Sequence, residues 1–226
     1  MKEEKKILSF VKRNGRKLSK SKQNLFSTLL PKYEITKEND ILLNNIISSD
    51  KECNMEIGYG GGEHLAFQAM RNKNVNFIGC EPFIQGTAKL LNQISDGNIE
   101  NIFIYQDNAI DLINNMPDGF LSKLFILFPD PWPKKRHNKR RIINHDNLSL
   151  FAKKIKRGGL LRVATDHEDY ASWIISMLIN DNNFIWKCEH SKKWYDPPKD
   201  WYQTKYQKKS LLKGSKNYFF DFIKNT

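Results

Sequence analysis

Apolar residues in this chain come in short runs that stop at turn residues, and most are followed by stretches with helical spacing. That pattern predicts strands alternating with helices. The first strand ends at Ile57, and a helical run begins near Glu63. Val75 to Glu81 reads as a second strand, followed by a helix over roughly Phe83 to Gln93. Ile99 to Tyr105 reads as a third, and a short helix follows to Met116. The fourth run, Leu124 to Phe128, ends abruptly at Pro129-Asp130-Pro131-Trp132-Pro133. Residues 142 to 157 read as a mixed apolar and basic helix closed by Gly158 and Gly159, as glycines commonly close helices. Leu160 to Asp166 is a fifth strand, and Tyr170 to Ile179 an apolar helix. Phe184 to Cys188 and Tyr218 to Ile223 are the last strands; with no clear helix between them, they predict an antiparallel pair at one edge. Leu25 to Leu30, closed by Pro31, and Ile41 to Ile47 are helix-compatible patches. The alternation indicates an α/β domain with a mostly parallel sheet.

A chain of 226 residues fits one such domain with room for arms. Residues 1–24 form a basic N-terminal arm, and 25–226 a single domain with an insertion at about 190–216 rich in aromatics, lysines and prolines. The formal net charge of +12 favours a polyanionic partner. Three cysteines, widely spaced and without a CxxC pair, argue for reduced thiols in a cytoplasmic protein. The five histidines show no metal-ligand spacing and read as structural or surface residues, so no metal is expected. No apolar run approaches the roughly 20 residues that span a bilayer, and no membrane partner is expected.

The chemistry gathers at the carboxyl ends of the strands, where open α/β sheets bind ligands. Gly58, Gly60 and Gly62 make a turn between strand and helix, in a GxGxG spacing. Glu81 lies about 20 positions beyond that loop, where an acidic residue bonds both ribose hydroxyls. Asn108 follows the third strand and suits either an adenine edge or a helix N-cap. Glu56, Asp130 and Asp166 add carboxylates at other strand ends. Six cations, Lys134, Lys135, Arg136, Lys139, Arg140 and Arg141, follow Asp130 directly and suit nucleic-acid phosphates. Trp132 suits either base stacking or packing.

These residues resemble the bacterial tRNA (guanine-N7)-methyltransferases over nearly the whole chain. EIGYGGGEHL is similar to that family's cofactor loop, and IGCEP with Gly86 and Lys89-Leu90-Leu91 to its second-strand segment. FPDPWPKKRHNKRR is similar to its signature, ATDHEDYA to its fifth-strand motif, TKYQKKSLLKG to its late motif, and NGRKLSKSKQ to its basic arm. The resemblance implies a Rossmann-like class I methyltransferase fold, a mostly parallel seven-stranded sheet with helices on both faces. It implies methyl transfer from S-adenosyl-L-methionine to N7 of guanosine 46 in the tRNA variable loop. Glu56, Gly58, Gly60, Gly62, Glu81, Asn108 and Asp130 are then the expected cofactor residues, with Asp130 also catalytic. Lys134, Asp166, Thr204, Lys205, Tyr206 and Gln207 are expected at the substrate, and Arg136, Lys139, Arg140 and Arg141 at RNA phosphates. The resemblance leaves monomer and homodimer both open. Two departures stand out: Asn108 where the family often has Asp, and Gln207 where it usually has Glu. An exocyclic amino-methyltransferase on nucleic acid, or a non-catalytic RNA-binding relative, fits part of the same pattern. KKRHNKRR and TKYQ disfavour the first, and the intact glycine loop and Asp130 the second.

Overall fold

The computed structural model describes residues 17–37, 41–188, 194–212 and 214–225. Seven strands form one sheet in the order β3-β2-β1-β4-β5-β7-β6. They are β1 (Cys53–Ile57), β2 (Asn76–Cys80), β3 (Ile102–Tyr105), β4 (Leu121–Leu127), β5 (Ile155–Thr165), β6 (Phe184–Trp186) and β7 (Tyr218–Lys224). The first five run parallel, and β7 is antiparallel to both β5 and β6. The helices are α1 (Lys20–Thr28), α2 (Ile41–Ile47), α3 (Glu63–Arg71), α4 (Ile84–Gly97), α5 (Ala109–Asn114), α6 (His145–Lys154), α7 (Glu168–Ile179) and α8 (Lys205–Leu212).

The two-residue period of the strands distributes the core between two layers. On β4, Leu124 and Ile126 join the cluster built with α2, α5, α6 and α7, while Phe125 and Leu127 face the other side with Ala164 and Phe219. Phe77, Ile102 and Ile104 pack with Leu65, Ala66 and Ala69 of α3 and Leu90, Leu91 and Ile94 of α4. Both faces are thus covered, and β1, β2 and β4 are buried along nearly their whole length.

The structure corrects the sequence reading at one boundary. Gly158 and Gly159 do not close α6; the helix ends at Lys154, and Ile155 already has extended backbone paired with Leu121. The register then jumps from Leu121–Ile155 to Lys123–Leu160, so the glycines form an excursion inside β5. A side chain at Gly159 would lie 2.9 Å from the Ser122 carbonyl, which is why the excursion takes glycine. The late strands pair antiparallel at the sheet edge as expected, but α8 stands between them in the chain and β7 lies inside β6. The expected arm and insertion fall partly outside the described residues, at 1–16, 189–193 and 213. Helix α1 runs across residue 24, and its Leu25 and Phe26 pack on the α3–α4 layer.

Candidate active site

The cofactor loop joins β1 to α3, and Gly58, Gly60 and Gly62 all have positive φ. At Gly62, φ is 79° and a Cβ would lie 2.7 Å from Leu90, so the loop is seated directly on α4. The tightest approach comes from the other side. A Cβ at Gly86 of α4 would stand 2.2 Å from the Gly60 carbonyl oxygen and 3.1 Å from Glu81 Cγ. Gly86→Ala is therefore expected to displace the backbone of the loop, not merely a flexible side chain. The measurement is cofactor affinity by calorimetry, with a loss of about tenfold or more expected at little change in secondary structure.

Glu81 follows β2 and is buried. Its Oε2 accepts from Gly60 N–H at 2.9 Å and its Oε1 from Phe83 N–H at 3.0 Å, so this carboxylate shapes the loop. Burial pushes its pKa up; the two backbone bonds oppose that, and the negative charges of Asp130 and Glu56 raise it further. Glu56, at the end of β1, is 2% exposed, and its Oε2 meets His64 Nδ1 at 2.7 Å. Asn108 caps α5, its side-chain oxygen accepting from Ile110 N–H at 3.2 Å, while its Nδ2 donates to Asp111 at 3.3 Å. Of the two roles open for Asn108, the N-cap is the one this geometry displays.

The turn after β4 carries Asp130, which is exposed. Phe128 and Trp132 on either side have φ of 52° and 44°, left-handed values that non-glycine residues seldom adopt. A 3₁₀ helix, Lys135–Arg140, follows, and Lys134, Lys135, Arg136 and Lys139 are exposed along it. Arg140 lies over Trp132 at 4.9 Å, and His137 meets the same indole edge-on at 5.9 Å. His137 is held below the ordinary imidazole range, by desolvation first and then by Arg140, Arg136, Lys134 and Lys139.

Arg141 does not belong to that cationic surface, which corrects its expected phosphate role. It is 1% exposed and enclosed by α7. Its Nε donates to the Pro131 carbonyl at 2.9 Å, its Nη2 donates to Asp169, and its guanidinium lies about 5 Å from the rings of Tyr170 (4.9 Å) and Trp173 (5.0 Å). No phosphate reaches a guanidinium so enclosed; Arg141 holds the turn that carries Asp130.

At the end of β5, Asp166 accepts from Ser210 Oγ of α8 at 2.6 Å. Tyr206 is 56% exposed, and its ring lies 5.4 Å from Phe128. Burial first, then the charge and hydrogen bond of Asp166 and the charge of Asp130, push its phenol up. The start of α8 thus stands beside Asp166, within reach of the charge of Asp130. Thr204 Oγ1 accepts from Gln207 N–H at 3.2 Å, and Lys205 is exposed. Gln207, expected at substrate, is instead 4% exposed, with its Oε1 accepting the indole N–H of Trp201 at 2.7 Å. That oxygen is spent inside the protein, so direct substrate contact through it is corrected to a packing role.

A buried polar group behind the loop escaped the sequence reading. His64 and Gln68 of α3, four apart and so on one helix face, join Glu56 to the chain at Asp200. Arg162 of β5 bonds Asp200 at 2.8 Å and both oxygens of Asp221 at 2.7 and 2.8 Å. The polar pair His64/Gln68 amid Leu65, Ala66 and Ala69 was the available signal. Among the described residues no cluster of His, Cys, Asp and Glu is placed to hold a metal ion, and no helix is long and apolar enough to cross a membrane.

Comparison with known proteins fits this arrangement. Residues 50–220 match a family model described as a putative methyltransferase. The tRNA (guanine-N(7)-)-methyltransferase of Zymomonas mobilis subsp. mobilis is 39% identical over 94% of this chain and 92% of its own. That of Wolbachia pipientis wMel is 41% identical over 85% of this chain and 83% of its own. Among solved structures, the 16S rRNA methyltransferase KamB superposes with a TM-score of 0.60 at 13% identity, covering 83% of this chain and 94% of that one. An antibiotic-related methyltransferase superposes with a TM-score of 0.54 at 20% identity over 83% and 94%. The two solved structures share the fold, and the two relatives carry the likeness along nearly the full sequence: the chain belongs to the family of tRNA (guanine-N(7)-)-methyltransferases.

Proposed function

We propose that the chain transfers the methyl group of S-adenosyl-L-methionine to N7 of guanosine 46 in the variable loop of tRNA. The observation that carries this is a carboxylate cluster at the strand ends, Glu56, Glu81 and Asp130, bordered by the exposed cations Lys134, Lys135, Arg136 and Lys139. The cluster fits the cofactor. Asp130 and Glu56 are near enough to raise the Glu81 pKa, and a ligand bearing a sulfonium and an ammonium relieves that repulsion. Glu81 would hold the ribose hydroxyls, Gly58, Gly60 and Gly62 would admit the ligand close to the backbone, and Glu56 would bond through the oxygen that His64 leaves. Asn108 would border the adenine while capping α5.

When bound, the cofactor supplies an electrophilic methyl. Guanine N7 carries an in-plane lone pair and no proton, so no base need act before attack. What the protein contributes is alignment and charge. Asp130 accepts from the guanine N1–H and amino group and stabilises the positive charge that develops on the ring. Tyr206, exposed beside Phe128 and Asp166, presents a ring at the same place, while Thr204, Lys205 and Asp166 border the substrate. Lys134, Arg136 and Lys139 hold phosphates, with Arg140 stacked on Trp132 at their edge. The exocyclic amino alternative would require removal of a proton at nitrogen. The test is transfer from labelled cofactor to a tRNA transcript followed by nucleoside analysis. Label in 7-methylguanosine is expected, and its loss when guanine 46 becomes adenine; label in another nucleoside would overturn the reading.

Two further results are expected. Converting Lys134, Lys135, Arg136 and Lys139 together to glutamine should weaken tRNA binding and reduce the log–log salt slope by about 0.7–0.9 for each phosphate no longer neutralised. Arg141 should make no such contribution to the slope. Cofactor binding should weaken as pH falls, with a midpoint above the ordinary glutamate range, because the free protein holds the Glu81 proton more tightly than an exposed glutamate does. Calorimetric titration across pH checks this, and Glu81→Gln should remove that midpoint. The same shift has the opposite sign for stability. The native state binds this proton more tightly than the unfolded chain, so the residue's contribution declines as pH rises through the shifted range.

A further inference from the structure

We infer that Gln68 and Trp201 are positioning residues that couple cofactor binding to tRNA binding, by fastening the insertion to the helix that follows the cofactor loop. The inference rests on the cofactor and substrate assignments above, but its test reads binding and not product. The two ligands are expected at opposite ends of one chain of contacts. At one end Glu56 is buried and gives one oxygen to His64 Nδ1 at 2.7 Å. Gln68 Nε2 donates to the Asp200 carbonyl at 2.7 Å and lies 3.3 Å from His64 Nε2. If the amide's second N–H serves that ring nitrogen, then Nε2 of His64 accepts and Nδ1–H donates to Glu56, so every group in the chain is satisfied.

Asp200 and Trp201 are where the insertion meets the body of the domain. The Asp200 carboxylate pairs with Arg162 at 2.8 Å, and Arg162 is itself fixed by Asp221. The Trp201 ring lies 5.4 Å from His64 and 4.8 Å from Phe219. Its indole N–H donates at 2.7 Å to Gln207, the buried residue of α8 that follows Thr204, Lys205 and Tyr206, which are expected at substrate. Tyr202 adds a ring contact at 5.0 Å to Phe67, on the same helix as Gln68. So the residues that position α8 are held by the helix whose first turn follows the cofactor loop.

The physical consequence is linkage. A cofactor that bonds Glu56 restrains the carboxylate whose other oxygen His64 holds, and so favours the geometry in which Gln68 reaches Asp200. A tRNA that contacts Thr204 to Tyr206 favours the same fastened insertion from the other end. Two ligands that prefer one state bind cooperatively, and each tightens the other by the same factor. At half-buried Trp201 only the indole N–H serves the link to Gln207, whereas at Gln68 the amide serves the link to Asp200.

The experiment measures the dissociation constant of S-adenosylhomocysteine, which lacks the transferable methyl, by calorimetry with and without saturating tRNA transcript. It is run on the wild type, Gln68→Met and Trp201→Phe, each with its circular dichroism spectrum. The wild type is expected to bind about fivefold or more tightly when tRNA is present. In both variants that factor should fall to one, while affinity without tRNA stays close to the wild-type value. A wild-type factor of one overturns the inference. So does a folded variant that keeps the wild-type factor. If Gln68→Met does not fold, Trp201→Phe, which keeps an aromatic ring in place, decides the matter alone. Methylation of a base other than guanine 46 would overturn the proposed function and leave this factor measurable.

Discussion

Asp130→Ala is expected to lower turnover by about 100-fold to 1000-fold, with cofactor affinity changed by only about threefold. The expectation follows from where Asp130 sits. It is exposed in the turn after β4, while Glu56 and Glu81 are buried and already bonded to His64 and to the backbone of the loop. The buried pair shapes the cofactor loop, and the exposed carboxylate is the one free to meet a base. Methylation at N7 places positive charge on the guanine ring, so a fixed negative charge acts more strongly in the transition state than in the ground state. Its removal should reduce kcat and kcat/KM together and leave KM for tRNA little changed. Asp130→Asn sharpens the test: its amide nitrogen offers donors toward guanine N–H groups that are themselves donors, so it should recover little of the loss. Single-turnover rates with both variants, alongside calorimetric cofactor binding, check this; an equal loss of binding and turnover would remove the assigned role.

Arg141→Met should be the most destabilising change in the basic stretch, at about 2–4 kcal/mol, because it leaves the half-buried Pro131 carbonyl without its donor and removes the buried guanidinium from the faces of Tyr170 and Trp173. Asp169 is 64% exposed, so losing that ion pair strands no buried charge and adds little. For a chain of this length the loss corresponds to a fall in Tm of roughly 4–16 °C. Turnover should fall beyond what unfolding explains, since the carbonyl that Arg141 holds belongs to the residue after Asp130. Arg141→Lys keeps the charge but not the planar fork that serves Pro131 and Asp169 while lying against Tyr170 and Trp173, so it should rescue little. Thermal melts and single-turnover rates measured below the melting range separate the two effects. Neighbouring Lys139→Met, at an exposed position, should leave Tm nearly unchanged.

The contrast between Arg141 and Lys139 also marks the limit of reading the chain as a string. The alternation of strands and helices, the antiparallel late pair and the glycine turn after β1 were legible because each depends on local rules. Burial every second residue, positive φ at glycine and the reach from a glycine loop to an acidic residue are set by short stretches of chain. The carboxylates at successive strand ends were legible for the same reason: a parallel sheet must place those ends together. The excursion at Gly158 and Gly159 was not legible, because a glycine pair after a helical run looks like a helix end until Ile155 is seen paired with Leu121.

Fold class, family and the stretch in which Asp130 lies could all be read from the chain, since local spacing and motif residues carry all three. What neighbouring residues of one kind do is set by contacts between distant segments. Of six consecutive-looking cations, five line the 3₁₀ turn and one is folded under α7 to hold Pro131. Gln207 is turned inward to Trp201, and Asn108 caps α5. His64 and Gln68, whose partners no local pattern names, lie buried between Glu56 and Asp200. The reason is range. Burial and hydrogen-bond partners are fixed by residues as far apart as Gln68 and Asp200, and such contacts exist only once the sheet has brought those segments together.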